Sequence, residues 1–238
     1  MDLPPEFLTL YSRLDRQGPG TPEDVLWSLG WLGLSGPLKV CDAGCGTGAD
    51  SVTLARALPE AQVEGLDAVP AFIEAGQARV ADLPNAALRV GDMGALTGPY
   101  DLIWSAGAIY FLGVTEGLRA WRAALAPGGV VAFSQGVFLG GDEPQAVRDF
   151  WAPEPALTDR EGLRAQVAEA GYEILDTRLL IGAPWEAYYG SVTREIAALR
   201  PGASPAMAEV LDASEREVAL WRQASDRIAY ELVLAQPD

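Results

Sequence analysis

Three glycines alternate in the stretch Cys41-Asp42-Ala43-Gly44-Cys45-Gly46-Thr47-Gly48-Ala49. Glycine admits positive φ and lets a ligand come close to the main-chain N–H groups at the start of a following helix, so this spacing suits binding better than an ordinary strand-to-helix turn does. Gly44-x-Gly46-x-x-Ala49 also satisfies the dinucleotide pattern, and the glycines by themselves leave the ligand open. Asp42, two residues before the first glycine, would repel a pyrophosphate and attract an ammonium group. Asp67 lies nineteen residues past Gly48, the place for a carboxylate that accepts both ribose hydroxyls, in bonds worth roughly 1.5–3 kcal/mol. Asp92 follows a further apolar run and suits the exocyclic amine of an adenine, while aspartate there also favours a turn.

Other chemistries are narrowed by composition. The chain has no histidine, which removes the commonest general base and the commonest metal ligand. Its two cysteines, Cys41 and Cys45, flank the strand-to-turn junction and are expected to be buried thiols rather than a disulfide. Acids outnumber bases 33 to 17, giving a formal charge of −16, which disfavours nucleic acid and anionic membrane surfaces as partners. The start of the chain lacks a secretory pattern and no run is long enough to span a bilayer, so a soluble protein of the cytoplasm is expected. Tyr110, Trp185, Tyr188 and Tyr189 are candidates for an acceptor pocket, where they would stack on a planar molecule or hold a cation by their π faces; core packing is the competing role for each.

Positioning these groups requires strands ending at Asp42 and Asp67 and one ending just before Asp92. Apolar runs predict seven strands at 38–42, 63–67, 86–90, 100–104, 130–135, 172–181 and 228–235, separated by helical patterns at 47–58, 70–81, 115–125 and from Thr158 to Gly171. Thr158-Asp159-Arg160-Glu161 reads as a capping box for the last of these. Amphipathic helices are predicted over 5–17 and from Thr21 to about 34, separated by the break Arg16-Gln17-Gly18-Pro19-Gly20. Residues 137–155 read as a loop with a short helix, and 184–226 as a helical insertion before the last strand. Alternating strands and helices imply a doubly wound α/β sheet.

Val40-Cys41-Asp42-Ala43-Gly44-Cys45-Gly46-Thr47-Gly48 and Gly65-Leu66-Asp67 resemble the first and second motifs of the class I S-adenosylmethionine-dependent methyltransferases, and Leu125-Ala126-Pro127-Gly128-Gly129 resembles that family's element before strand five. The resemblance implies a Rossmann-like α/β fold with a seven-stranded, mostly parallel, doubly wound sheet, N-terminal helices over the cofactor and an antiparallel last strand. It implies one domain over 1–238, with an N-terminal helical segment (1–36), a cofactor-binding core (37–136) and a substrate-side half (137–238). The cofactor would be S-adenosyl-L-methionine, held by Gly20, Asp42, Gly44, Gly46, Gly48, Asp67, Ala68, Asp92, Met93 and Ser105, with Gly20 in the break near the methionine end. Ser105-Ala106-Gly107-Ala108-Ile109-Tyr110 stands where adenine-methylating nucleic-acid enzymes carry Asn/Asp-Pro-Pro-Tyr, and it is similar to a bacterial small-molecule subgroup. Methyl transfer needs no metal and no enzymic nucleophile, and its acceptor here would be a small molecule. The alternatives are an NAD(P)-dependent oxidoreductase, or a protein that binds S-adenosylmethionine without turnover.

Overall fold

The computed structural model describes residues 3–140, 142–151 and 157–238. In chain order the elements are α1 (Pro5–Tyr11), α2 (Pro22–Leu32), β1 (Lys39–Ala43), α3 (Ala49–Ala57), β2 (Gln62–Asp67), α4 (Pro70–Val80), β3 (Ala86–Val90), β4 (Tyr100–Ala106) and α5 (Val114–Arg122). They continue as β5 (Leu125–Phe138), α6 (Gln145–Trp151), β6 (Thr158–Asp159), α7 (Arg160–Glu169), β7 (Tyr172–Leu180), α8 (Ala183–Leu199), α9 (Pro205–Gln223) and β8 (Ile228–Pro237).

The sheet runs β3-β2-β1-β4-β5-β8-β7, with the two-residue β6 paired to β5. Strands β1 to β5 are parallel to their neighbours, and β8 is antiparallel to both β5 and β7. The expected seven-stranded, mostly parallel, doubly wound sheet is thus found. Strand order reverses between β1 and β4, and the crevice at that reversal, at the carboxyl ends of the strands, is where ligands of open α/β sheets sit.

Helices cover both faces, and the period-2 alternation of the strands divides their side chains between two cores. Val40, Leu102, Ala132 and Leu234 pack with Val25 and Leu29 of α2 and Leu54 of α3. Their chain neighbours Cys41, Ile103, Phe133 and Val233 point the other way, to Leu118 and Trp121 of α5 and Leu163 and Val167 of α7. A third cluster joins α1, α8 and α9 through Leu10, Leu14, Tyr188, Val192, Leu211 and Trp221. The expected helical insertion before the last strand is this α8–α9 pair.

Several boundaries differ from those predicted. Helix α1 ends at Tyr11 rather than near 17, because the chain turns there to bring Leu14 into the third cluster and Gln17 onto Thr47. The cap of α7 is Asp159, whose Oδ1 accepts from the Gly162 N–H at 2.8 Å, because Thr158 is drawn into β6 against Val137. Residues 125–129, read as a turn, belong to β5, whose pairing with β4 slips between Tyr100 and Leu102. Part of the predicted 137–155 loop, at 141 and 152–155, lies outside the described residues.

Gly65 marks a close approach. A Cβ there would lie 2.3 Å from Leu88 Cδ2, 2.9 Å from Ser51 Oγ and 3.1 Å from Cys45 Sγ, whereas a Cβ on Gly30 of α2 would meet nothing within 4 Å. Gly65→Ala is therefore expected to lower stability by about 1–3 kcal/mol, and Gly30→Ala to raise it by up to about 1 kcal/mol. Urea denaturation midpoints at unchanged slope check both.

Candidate functional site

A cavity of about 560 Å³ opens at the carboxyl ends of β1 to β4, bounded by residues 16–19 after α1 and by α8, α9 and β8. That volume lies in the ordinary range for small-molecule sites.

The turn from β1 into α3 forms one wall. Gly44, Gly46 and Gly48 have φ of 76°, 53° and 79°, a region closed to most side chains. The N–H groups of Gly44 and Cys45 both donate to Leu66 O, at 2.8 and 2.9 Å, and the Gly46 N–H donates to Asp67 Oδ2 at 2.9 Å. Asp67 Oδ1 accepts from the Val69 N–H at 2.8 Å. A Cβ at Gly44 would lie 2.4 Å from Ala108 Cβ, and one at Gly46 would lie 2.2 Å from Gln17 Oε1.

Four aspartates line this end of the cavity: Asp42, Asp50, Asp67 and Asp92. Asp42 is 2% exposed and accepts a 2.6 Å hydrogen bond from Ser51 Oγ. Burial, reinforced by the charge of Asp50, pushes its carboxyl above the usual carboxylate range. Burial also raises Asp67, against the lowering effect of its two backbone N–H bonds. Asp50 Oδ2 accepts from Arg16 Nη2 at 2.7 Å and from Trp104 Nε1 at 3.0 Å, while its buried Oδ1 has no hydrogen-bond partner. Asp92 caps a short 3-10 turn, accepting from the Gly94 N–H at 2.7 Å, so the turn-forming role weighed for it is present at a position that also faces the cavity.

Of the ten residues anticipated on the donor side, Asp42, Gly44, Gly46, Asp67, Ala68, Asp92 and Met93 line the cavity; Gly20, Gly48 and Ser105 are not among the lining residues. Gly20 lies behind Arg16, whose guanidinium occupies the place of a Cβ there, 2.8 Å away. Gly48 faces Leu88, with 2.8 Å between its Cβ position and Leu88 Cδ1. Ser105 is fully buried and donates to Ala43 O at 2.8 Å, tying β4 to the end of β1.

The four aromatic candidates, Tyr110, Trp185, Tyr188 and Tyr189, all line the cavity. Trp185 also packs into the third core, its ring centroid 5.8 Å from Tyr189 and 6.0 Å from Trp221, so cavity wall and core packing coincide. Tyr189 Oη donates to Glu217 Oε1 at 3.0 Å.

Sequence reasoning missed Tyr11, Arg16, Gln17, Asp50, Gln135, Glu217 and Tyr230 as cavity residues. Gln17 clamps the turn: its Oε1 accepts from the Thr47 N–H at 3.0 Å and its Nε2 donates to Tyr11 O at 2.9 Å. Arg16 and Gln17 read as part of a helix break, with Gln17-Gly18-Pro19-Gly20 expected near the methionine end but neither side chain singled out. Asp50 and Glu217 were not singled out from the sequence: Asp50 lies in the first turn of α3, and Glu217 borders the inner stripe Leu211, Ser214, Val218, Trp221 of α9. Both cysteines are free and buried, as anticipated, and burial raises both thiols. Among the described residues no helix is long and apolar enough to cross a membrane.

Residues 40–129 match the methyltransferase domain family. Trans-aconitate 2-methyltransferase of Deinococcus radiodurans is 40% identical over 96 residues, which cover 40% of this chain and 36% of that protein. The enzyme of the same name from Acidovorax sp. (strain JS42) is 26% identical over 169 residues, 68% of this chain and 65% of that one. The chain thus spans between about a third and two thirds of the length of these curated relatives. Among solved structures, an S-adenosylmethionine-dependent methyltransferase from Geobacter sulfurreducens, in complex with S-adenosyl-L-homocysteine, superposes with a TM-score of 0.84 at 20% identity, covering 100% of this chain and 99% of that one. At that identity the likeness shows the fold.

The raised Asp42 carboxyl has a consequence for stability. Between the ordinary carboxylate value of about 3.9 and the raised folded value, the native protein keeps a proton that the unfolded chain has released, so stability is lost as pH rises through that window. Asp42→Asn keeps an acceptor for Ser51 and removes the titration. The variant is expected to match the wild type near pH 4 and to exceed it by about 1–3 kcal/mol near pH 8, measured by chemical denaturation at both pH values.

Proposed function

We propose that this chain, which belongs to the class I S-adenosylmethionine-dependent methyltransferases, transfers a methyl group from S-adenosyl-L-methionine to a small-molecule acceptor. The observation that carries this reading is the convergence of three strand-end carboxylates, Asp42, Asp67 and Asp92, with Gly44 and Gly46 on one cavity.

The donor set fits that cofactor. Each Asp67 oxygen takes one backbone N–H and keeps a second lone pair, so the carboxylate is oriented and still able to accept ribose hydroxyls. Asp92 and Met93, in the turn after β3, would hold the adenine. Asp42 and the orphan Oδ1 of Asp50 would meet an ammonium group, and the Arg16 donors not engaged by Asp50 would meet the adjacent carboxylate. The side-chain-free faces of Gly44 and Gly46 give the room that a Cβ would fill. A dinucleotide fits this set poorly, because its pyrophosphate would face Asp42 and Asp50 at the start of α3.

When bound, the sulfonium supplies an activated methyl carbon, which forms a bond to the acceptor's lone pair as the carbon–sulfur bond breaks and sulfur keeps the electron pair. The protein's part is orientation and exclusion of water. Trp185, Tyr188 and Tyr189 are buried at 2%, 6% and 2% exposure and wall off the acceptor half. Burial pushes the Tyr11 phenol up to about 12 and raises Tyr188 and Tyr189 as well, so at neutral pH these rings position a ligand and do not take its proton.

A small-molecule acceptor is supported by the names of the curated relatives and by the enclosed aromatic wall. The acidic charge argues against a nucleic-acid partner. Two free, buried thiols fit the cytoplasm. A single domain over 1–238 fits the way α8 and α9 complete the same cavity as β1 and β2.

Calorimetry with S-adenosylhomocysteine tests the reading. Micromolar binding is expected, weakened about tenfold or more by Asp67→Ala and unaffected by NADH. A preference for NADH would replace the methyltransferase with the oxidoreductase.

A further inference from the structure

Gln135 lies near the carboxyl end of β5 and lines the cavity. It is 2% exposed, and its Oε1 has no hydrogen-bond partner among the described residues. The strand register explains why. Glu231 stands directly opposite on β8 and is a carboxylate held by Arg160, at 2.9 and 3.2 Å, so it offers no proton. On the other side Ala106 pairs with Ser134 and Gly107 follows it, and neither carries a side-chain donor. A buried acceptor without a donor is costly, whereas an apolar side chain of the same shape carries no such cost. Such atoms are few in native folds, and this one calls for a donor that the sheet around it does not supply.

The place of Gln135 in the sheet puts it in the acceptor half. Asp42 pairs with Trp104 and Trp104 with Ala132, so Gln135 lies two strands across from Asp42 and three residues further along, about 10 Å in each direction. Asp42, Asp67 and Asp92 belong to β1, β2 and the turn after β3, on the other side of β4. Two glycines flank the amide at the strand ends and let the Tyr230 ring lie against the backbone. A Cβ at Gly107 would lie 2.9 Å from Tyr230 Cε2, and one at Gly136 would lie 3.2 Å from Tyr230 Cε1. The Tyr230 ring meets Trp185 edge-on, with centroids 5.3 Å apart, and both rings line the cavity. A ligand in this half is therefore offered aromatic surface and, at Gln135, one buried hydrogen-bond acceptor.

Resting on the methyltransferase reading, we infer that Gln135 selects the methyl acceptor by taking a hydrogen bond from it, and that the acceptor is a molecule with an apolar or aromatic body carrying an N–H or O–H group. Gln135 is then a specificity residue: its Oε1 holds the acceptor while the methyl donor occupies the other end of the cavity. A ligand presenting only acceptor atoms leaves Oε1 unpaired and is held less tightly, because a site built around a hydrogen bond rejects the analogue that lacks its partner.

Isosteric probe pairs test the inference without turnover. Indole and benzofuran, and phenol and fluorobenzene, match in size and differ in one N–H or O–H group. Each is titrated by calorimetry into the full chain saturated with S-adenosylhomocysteine, which keeps the probes out of the donor end. Indole and phenol are expected to bind about fivefold or more tighter than their partners, the worth of one hydrogen bond to a buried acceptor. Gln135→Met keeps the length of the side chain without its carbonyl, and is expected to bring both ratios to near one while leaving S-adenosylhomocysteine affinity unchanged; Gln135→Leu takes its place if the methionine variant does not fold. Ratios near one in the wild type, a preference for benzofuran or fluorobenzene, or no binding of any of the four would overturn the inference, whatever the variants do. A wild-type preference that persists in the folded variant would overturn it as well. Absence of S-adenosylhomocysteine binding would instead sink the methyltransferase reading, and the probe pairs in the ligand-free protein would still decide the hydrogen-bond preference.

Discussion

The short junction between β1 and β2 holds the site together. Leu66 O receives two N–H groups, from Gly44 and Cys45, and Asp67 Oδ2 receives a third, from Gly46. These bonds hold the turn in a backbone conformation with positive φ at three residues, and they aim the Asp67 carboxylate back toward the cavity. Neither half is independent: the turn needs the end of β2 to satisfy its N–H groups, and Asp67 needs the turn to be oriented. Gln17 then locks the outer side of the turn from the N-terminal segment, accepting from Thr47 N–H and donating to Tyr11 O. Sheet, turn and N-terminal segment are thus coupled through about a dozen atoms.

That coupling explains what was legible in the sequence. The turn and its carboxylates were readable because glycine at positive φ and aspartate at strand ends are local requirements, set by backbone sterics and by the α/β crevice. The strands were readable because both faces of the sheet are covered, so each run is apolar throughout, as in Val40-Cys41 and Leu102-Ile103. Gly48 and Ser105 were legible only as neighbours of the motif: one makes room for Leu88, the other fastens β4 to β1. Their constraint is packing, which motif spacing does not distinguish from ligand contact. The boundary errors at α1 and α7 share one cause. Tyr11 ends α1 and Asp159 caps α7 because long-range partners, Gln17 on Thr47 and Thr158 on Val137, override local propensity.

The acceptor half was least readable, for a physical reason. Its wall is assembled from residues at 7–19, 110–112, 135–136, 185–189, 217 and 228–230, and no periodicity relates positions so far apart. Tyr188 and Tyr189 illustrate the ambiguity: they belong to the α1–α8–α9 core and to the cavity surface together. A side chain that packs on one edge and faces a ligand on the other has no separate signature in a helical pattern.

Electrostatics then connects the two halves. Burying carboxylates beside a cavity costs stability: burial raises the Asp42 and Asp67 carboxyls, and the charge of Asp50 adds to the rise at Asp42. A fold under selection for stability alone would replace such groups with apolar ones. Buried carboxylates of this kind mark candidate binding sites, and they fit the positively charged methyl donor proposed above. At the donor end Arg16 compensates Asp50 from the protein side, and the ammonium group of the proposed cofactor would add to it. Around Glu217 the Tyr189 hydroxyl is a partner of the carboxylate, donating to Oε1 at 3.0 Å.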